Sequence, residues 1–292
     1  MQTMKIKFLI LLLVFIFFSS SSFAQNATPT SAPSKKNQNW YVQKSKDYPL
    51  YKVQVLTFDD STMPLGIGGT KTVITNKSGK ILAELKNIVM EPDPRETIEA
   101  WVPGTLLDLD QDGYEDLLLR VYTGGVHCCY QYEIYSLGKV FKKLGSLKLL
   151  DCGEKIKLQD LNSDKIPEII SCNAHFIYFK DIPYSESPFP PQVFQLDSQK
   201  YTNADLKFQK VFDDDIQEQK KQLQERGYSD GIVLQIVLDY LLTGRETQGW
   251  QEFDQLIKSN KKDSIKQELQ EKYNQYRGAE TKAALSQPST AW

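Results

Sequence analysis

A stretch of nine residues, DLDQDGYED, places acidic side chains at alternate positions of a short loop. The acids at loop positions 1, 3, 5 and 9 are Asp108, Asp110, Asp112 and Asp116. Ca²⁺ takes about six to eight oxygen ligands, and the backbone carbonyl of Tyr114 at position 7 would add one more. Four carboxylates this close repel one another unless a cation lies among them. The spacing therefore predicts that these five residues bind calcium.

The residues around this loop predict a tight connection between two strands and exclude an EF-hand. An EF-hand needs a bidentate Glu at position 12, where this chain has Leu119, and a helix after the loop. Here the apolar run Leu117–Tyr122 predicts a buried strand, and Thr105–Leu107 forms a short apolar approach. Gly113 at position 6 allows the positive φ that the reversal needs, because it has no Cβ.

A second, weaker copy of the pattern follows 52 residues later. Oxygen-bearing side chains again stand at positions 1, 3, 5 and 9, in Asp160, Asn162, Asp164 and Glu168. Lys165 takes the glycine position, where its ammonium group adds a positive charge and a left-handed backbone costs roughly 1 kcal/mol. The sequence leaves two interpretations open: a second calcium site that fills after the first, or a metal-free turn.

The DxDxDGxxD motif, the apolar strand after it and the repeat resemble the calcium loops of FG-GAP/VCBS repeats. Those repeats form the blades of integrin-α-type β-propellers in exported proteins, and the resemblance covers residues 101–193. It implies ligand roles for Asp108, Asp110, Asp112, Tyr114 and Asp116, and for a second set of Asp160, Asn162, Asp164 and Glu168. The chain lacks the Phe-Gly and Gly-Ala-Pro landmarks of the family. Its two copies of the loop also fall short of the four to eight blades, roughly, that close a propeller. We therefore expect a smaller, twisted β domain.

Turn residues divide the middle of the chain into strand-like segments. Two hairpins are predicted, one around Asn76–Gly79 and one around Leu137–Lys139. Further along, apolar residues recur at helical spacing, which predicts helices at about 204–226 and 232–242. Ser229 is a candidate N-cap of the second helix.

The first residues have the three parts of a cleavable signal peptide. Lys5 and Lys7 are basic, Phe8–Phe18 is apolar, and the Ser-Phe-Ala sequence at 22–24 has small residues suited to cleavage. The apolar run is shorter than the roughly 20 residues of a membrane span, so we expect no membrane span in the mature chain. The protein is predicted to be secreted or periplasmic.

These elements predict an α+β fold, in which a mainly antiparallel β domain with propeller-blade-like hairpins is followed by a C-terminal α-helical segment. The expected segments are the signal peptide at 1–24, a linker at 25–39, the β domain at 40–200, the helical domain at 201–278 and a tail at 279–292. Lys and Arg number 35 against 37 Asp and Glu, a net charge of −2. A nucleic-acid-binding protein normally has a basic surplus, so nucleic acid is not an expected partner.

The chain has four cysteines, Cys128, Cys129, Cys152 and Cys172. An even number in an exported protein predicts disulfides, here two. A bridge between the two adjacent cysteines would strain the peptide that joins them. We therefore expect Cys128 and Cys129 each to pair separately with Cys152 or Cys172. The alternative is a soft-metal site formed by His127, Cys128, Cys129 and His175.

Together these features predict an exported, non-enzymatic calcium-binding protein whose acidic loops stabilise a β domain for interaction with another protein or a glycan. Two histidines are too few for a three-His zinc site. The GxSxG pattern at 227–231 lacks a later histidine to complete a triad, and no catalytic residue is assigned. Two alternatives stay open: a secreted hydrolase that acts on a glycan or phosphoester through a carboxylate or metal site, and an adaptor that binds a partner through the helices at 203–277.

Overall fold

The computed structural model describes most of the chain between residues 39 and 285. The described ranges are 39–59, 67–87, 89–91, 98–99, 107–122, 130–150, 152 and 156–285. The predicted signal peptide at 1–24 and the linker up to residue 38 lie outside these ranges, as do His127, Cys128 and Cys129. The described residues, from Asn39 onward, form one compact unit.

The described residues form a mixed α+β fold that is mostly β, as predicted. The strands, in chain order, are β1 (Tyr41–Asp47), β2 (Tyr51–Asp59), β3 (Ile67–Asn76), β4 (Ile81–Asn87), β5 (Val89–Glu91), β6 (Ile98–Glu99), β7 (Leu117–Tyr122), β8 (Tyr130–Ser136), β9 (Lys142–Leu150), β10 (Ile156–Gln159), β11 (Glu168–Cys172), β12 (Pro191–Asp197) and β13 (Lys200–Asn203). The helices are α1 (Gln209–Arg226), α2 (Asp230–Leu242), α3 (Glu246–Leu256) and α4 (Lys262–Leu285). In the described part of the chain these strands form three sheets, none of which closes into a barrel.

The first sheet is an antiparallel meander with the order β1-β2-β3-β4. The hairpin predicted at Asn76–Gly79 is confirmed, because β3 and β4 are joined by this turn. Asn76 Oδ1 accepts hydrogen bonds from the backbone N–H groups of Ser78 (3.1 Å) and Lys80 (2.9 Å). Gly79 has the positive φ (83°) that such a tight turn favours.

The other two sheets share a core and carry the two acidic loops. One has the order β5-β7-β8-β9, and the other has the order β13-β12-β11-β10-β6, in which only the short β6–β10 pair is parallel. The buried residues that both sheets contribute include Leu118, Tyr132, Ile134, Leu147, Ile156, Ile169 and Tyr201. The first acidic loop leads into β7 and the second joins β10 to β11. Each loop therefore precedes a strand. β7 is largely buried, as the apolar residues after the first loop predict, whereas only the first two residues of β11 are buried.

The helical segment shares a second core with β12. Val193 of β12 lies in one apolar cluster with Phe212 of α1, Val237 of α2 and Phe253 of α3. α2 is apolar on nearly every side, and most of its residues are buried. Among the described residues, no helix combines the length and apolar character that crossing a membrane would require.

The first residues of α1 and α2 can be compared with the starts that the sequence predicts. Ser229 caps α2, since its Oγ accepts a hydrogen bond from the backbone N–H of Ile232, as predicted. α1 begins at Gln209, later than the predicted residue 204, because residues 205–207 form a separate 3₁₀ turn.

The C-terminal helix is longer than predicted. α4 continues to Leu285, so residues 279–285, predicted as the beginning of the tail, are helical. Gly278 does not end the helix, because Ala279, Ala283 and Ala284 after it are strong helix formers.

Cys152 and Cys172 form a disulfide with their Cα atoms 5.6 Å apart. The prediction that each of them pairs separately with Cys128 or Cys129 is therefore wrong. The reason is the antiparallel pairing of β10 with β11, which brings the residues before β10 beside the end of β11. This register depends on contacts between strands, which the spacing of the cysteines does not reveal.

Candidate metal centre

The first acidic loop is held by hydrogen bonds from its backbone to its own carboxylates. Asp108 Oδ1 accepts from the backbone N–H of Asp112 (3.1 Å), and Asp108 Oδ2 accepts from that of Gly113 (2.9 Å). The chain reverses through positive φ angles at Gln111 (58°) and Gly113 (86°). The left-handed conformation predicted for Gly113 is therefore confirmed.

Three of the five predicted ligands converge in this loop. Carboxylate oxygens of Asp108, Asp110 and Asp116 all lie within 4.8 Å of one another. Asp116 is only 2% exposed and accepts from the backbone N–H groups of Leu109 (2.7 Å) and Leu137 (3.3 Å). Asp110 Oδ1 is buried and meets no hydrogen-bond donor among the described residues. The centre of the loop is thus rich in acceptor oxygens and poor in donors.

The other two predicted ligands lie outside this trio. Asp112 is exposed, and its Oδ1 accepts a hydrogen bond from the backbone N–H of Tyr114 (2.9 Å). Its Oδ2 lies against Gly138, where an added Cβ would stand 1.6 Å away. The side chain of Asp112 is therefore occupied by the turn itself. The ligand roles of Asp112 and of the Tyr114 carbonyl remain predictions.

Burial and crowding disturb the protonation of the loop acids. Burial raises the pKa of Asp116 to about 7, where the charge of Asp110 also raises it and the Leu109 N–H lowers it. Burial likewise raises the pKa of Asp108, and the charges of Asp112 and Asp110 raise it further. A raised carboxyl pKa means that the ionised form is destabilised. A cation among these carboxylates would therefore stabilise the folded loop.

The second acidic loop repeats the hydrogen-bond pattern of the first. Asp160 accepts from the backbone N–H groups of Asp164 (3.2 Å) and Lys165 (3.0 Å), four and five residues later. Glu168 Oε2 accepts from the backbone N–H of Leu161 at 2.7 Å, the same distance as the corresponding bond in the first loop. The repeat in the sequence is therefore also a repeat in the structure.

The two loops differ at their third position. In the second loop Asn162 Nδ2 donates to Asp164 Oδ2 (2.8 Å) and to Glu168 Oε1 (3.3 Å). The equivalent residue in the first loop is Asp110, which can only accept when ionised. Within the described ranges, the second loop contains no trio of converging carboxylates. Metal ligation by Asp160, Asn162, Asp164 and Glu168 remains a prediction.

Tyr201 connects the two loops, and the sequence analysis missed it. Its hydroxyl donates to the backbone carbonyl of Pro167 in the second loop (3.0 Å), and its ring shares an apolar cluster with Leu109 of the first. Burial raises the pKa of Tyr201, and the charges of Asp116 and Glu168 raise it further. Carboxylates of both loops therefore lie near this ring. No motif marks the residue, because it belongs to a short strand far along the chain.

Replacing Lys165 with glycine is expected to stabilise the protein by about 0.5–1 kcal/mol. Lys165 has a φ of 72°, a left-handed conformation that favours glycine. The matched control is Gly113→Ala at the equivalent position, where φ is 86°, and this change should destabilise by a similar amount. Urea unfolding measures both differences. A loss of stability in Lys165→Gly would contradict the equivalence of the two positions.

His175 is the described member of the predicted soft-metal site, and it contacts α4. Its Nε2 donates to the backbone carbonyl of Lys272 (3.1 Å), and its ring packs against Phe176 and Tyr276. Burial lowers the pKa of His175 below its ordinary value. The partners predicted for it, at 127–129, lie outside the described residues, so the soft-metal alternative is untested.

Comparison with known proteins finds a distant relative. No protein-family model matches the chain, and no solved structure matches it. A curated protein from Synechocystis sp. with the description "Probable thylakoid lumen protein" is 26% identical over 195 residues. The match covers 62% of this chain and 53% of the relative, so the chain spans about half the length of that protein.

Proposed function

We propose that the protein is an exported, non-enzymatic calcium-binding protein. Ca²⁺ in the first loop would stabilise a β domain for interaction with another protein or a glycan. The observation that carries the proposal is the convergence of Asp108, Asp110 and Asp116 within 4.8 Å. Because a buried carboxylate beside other carboxylates needs a counter-charge, the burial of Asp116 adds support. Asp112 and the Tyr114 carbonyl would extend the set of oxygen ligands.

The chemistry of the ligands favours calcium over other metals. All the side chains in the trio are carboxylates, which suit hard cations, whereas zinc and copper prefer the nitrogen and sulfur of His and Cys. Ca²⁺ accepts irregular geometry at roughly 2.3–2.6 Å, but Mg²⁺ demands a near-ideal octahedron and gives up water reluctantly. Loops of extracellular modules bind Ca²⁺ with a Kd on the order of 10⁻⁴–10⁻³ M. A site of this affinity would fill in a calcium-rich compartment.

The second loop is proposed to keep its conformation without an ion. The amide of Asn162 donates to two of the acids of its loop, so it removes part of the repulsion that a cation would otherwise relieve. The resemblance of both loops to FG-GAP/VCBS repeats supports a calcium-binding origin for the pattern. The competing outcome is that this loop also binds a calcium ion. In that case Asn162→Ala would reduce the stabilisation by calcium.

Three observations support a secreted or periplasmic location. The N-terminus has the composition of a signal peptide. The Cys152–Cys172 disulfide suits an oxidising compartment, since disulfides persist in exported proteins. The description of the Synechocystis relative places that protein in the thylakoid lumen. A lumen is also reached by export across a membrane, so we propose the same kind of compartment for this chain.

Thermal unfolding of the full mature chain with calcium and with chelator tests the proposal. Calcium at about a hundred times Kd should add roughly 2.7 kcal/mol and raise the Tm. Asp110→Ala should lose this shift, and Asp112→Ala should reduce it if Asp112 is a ligand. Asn162→Ala is the matched control in the second loop and should keep the shift. Identical melting curves of the wild type in calcium and in chelator would rule out the proposal.

A further inference from the structure

Two carboxyl groups meet in the interface between α1 and α2. Asp239 of α2 is fully buried, at 0% exposure. Neither of its carboxyl oxygens meets a hydrogen-bond donor among the described residues. The group within hydrogen-bonding range is another carboxyl, that of Asp215 in α1. An aspartate is almost never fully buried without a partner, so this contact needs a physical account.

The Asp215 carboxyl is fixed in place by two amides. Its Oδ1 accepts from Gln219 Nε2 (3.2 Å), and its Oδ2 accepts from Gln235 Nε2 (2.7 Å). Two ionised carboxylates in contact repel each other strongly at a buried site. A proton on Asp239 removes one of the two charges and supplies the missing hydrogen bond, because a protonated carboxyl can donate to Asp215.

The charged groups around the pair do not replace that proton. Arg245, in the connection between α2 and α3, faces Asp239, but its Nη1 donates to Asp213 and its Nε to Thr243. Its Nη2 and both carboxyl oxygens of Asp239 are buried without a hydrogen-bond partner among the described residues, so the two side chains are not bonded to each other. Asp205, in the 3₁₀ turn before α1, adds a further negative charge near Asp239. The surroundings therefore contain one cation that is not hydrogen-bonded to Asp239 and an additional acid.

We infer that Asp239 keeps its proton in the folded chain and donates it to Asp215, and that this contact is a pH-sensitive latch that holds α1 against α2. Asp215 also lines a cavity of about 1170 Å³ whose walls include α1, β10 and β11. The contact between Asp239 and Asp215 therefore holds α1 in place at this side of the cavity. When the proton is lost, repulsion between the two carboxylates loosens α1 at that wall.

The direction of the pH dependence follows from where the proton binds more tightly. Burial, followed by the charge of Asp215, raises the pKa of Asp239 well above its ordinary value in the folded chain. Between the unfolded and the folded pKa, the folded state holds more protons than the unfolded state. The stabilisation is therefore fully present at acid pH and is lost as the pH rises through the folded pKa. One linked proton changes the unfolding equilibrium constant by at most about tenfold per pH unit.

The test is urea unfolding of the full chain between about pH 5 and pH 9 in saturating calcium, comparing wild type with Asp239→Asn. The amide introduced by the substitution can donate to Asp215 at every pH, as the protonated acid does. We expect the unfolding midpoint of the wild type to fall relative to that of Asp239→Asn as the pH rises. By about pH 9 the variant should have the higher midpoint. Comparing the two proteins cancels the titration of Asp116, so the result is independent of the calcium proposal.

Asp205 provides a matched control, because it is a buried aspartate with a full set of donors. It accepts from the backbone N–H of Val193 (2.7 Å), from Asn203 Nδ2 (2.9 Å) and from the Tyr276 hydroxyl (3.2 Å). Burial raises the pKa of Asp205 to about 6, so it is ionised at alkaline pH. We expect Asp205→Asn to lower the midpoint there, which is the opposite of the effect at Asp239.

Infrared spectroscopy gives a second readout that does not depend on unfolding. In saturating calcium at about pH 7, the wild type should show the carbonyl band of a protonated carboxyl. Asp239→Asn should lose this band, and Asp205→Asn should keep it. The latch would be overturned if the band survives unchanged in Asp239→Asn, or if the midpoints of wild type and Asp239→Asn stay parallel across the pH range.

Discussion

Calcium is expected to stop stabilising the protein when Asp110 is replaced with asparagine, and Asp110→Asn should be more stable than the wild type in chelator. The second loop supplies the reason, because Asn162 at the equivalent position donates to the neighbouring acids. The same donor in the first loop would replace a buried acceptor that has none. On the calcium proposal, the wild type should gain about 2.7 kcal/mol at a hundred times Kd. The variant should gain nothing, and in chelator it should exceed the wild type by about 1 kcal/mol.

The reciprocal change, Asn162→Asp, should convert the second loop toward the first. It adds a carboxylate and removes the internal donor, so the variant should be less stable than the wild type in chelator. Titration calorimetry should detect a second calcium ion, because affinity rises with the number of carboxylates. Asn76→Asp is the control, since that residue lies in an exposed turn and uses its Oδ1 as an acceptor. An unchanged calcium response in Asp110→Asn would contradict the prediction that the loss of this carboxylate abolishes the stabilisation.

Replacing Gly231 with alanine is expected to destabilise the protein by about 3 kcal/mol. A Cβ at this position would lie 1.5 Å from the backbone carbonyl oxygen of Glu186. The clash is with backbone, so it cannot be relieved by rotating a side chain, and overpacking of this kind costs roughly 1–3 kcal/mol or more. The contact also includes the start of α2, where Ser229 Oγ donates to Glu186 Oε2 (3.1 Å). Urea unfolding measures the loss.

Gly278→Ala is the matched control for this prediction. Gly278 lies within α4, and an added Cβ there would meet nothing within 4 Å. Alanine is favoured over glycine in a helix by up to about 1 kcal/mol, so this variant should be more stable than the wild type. A small gain at both positions would contradict the close approach of Glu186 to α2.

The features that the sequence predicted correctly depend on residues within a few positions of one another. The turn at Asn76–Gly79 and the cap at Ser229 each use a side chain that bonds to nearby backbone. The left-handed conformation at Gly113 also follows from local geometry, since glycine has no Cβ to hinder it. The convergence of Asp108 with Asp110 belongs to the same class, because alternate residues of one tight loop face one point.

The features that the sequence analysis missed depend on contacts between distant segments. The Cys152–Cys172 disulfide requires the register of β10 with β11, which is set by strand pairing. Tyr201 reaches the loops because β13 lies in the same sheet as β11. Asp112 lies outside the trio while its side chain packs against Gly138 of another hairpin. One sequence contains no pattern that reports such pairings.

The different third residues of the two loops imply that calcium depletion would not melt the β domain evenly. Without an ion, repulsion between the carboxylates of the first loop would weaken the hydrogen bond from the Leu137 backbone N–H to Asp116. β7 and the turn after β8 would therefore unfold first. The β10–β11 hairpin keeps its internal donor and its disulfide, and would stay ordered. Local opening of this kind is common in proteins whose stability is uneven. Binding and release of calcium would then order and disorder one sheet while the rest of the molecule stays folded.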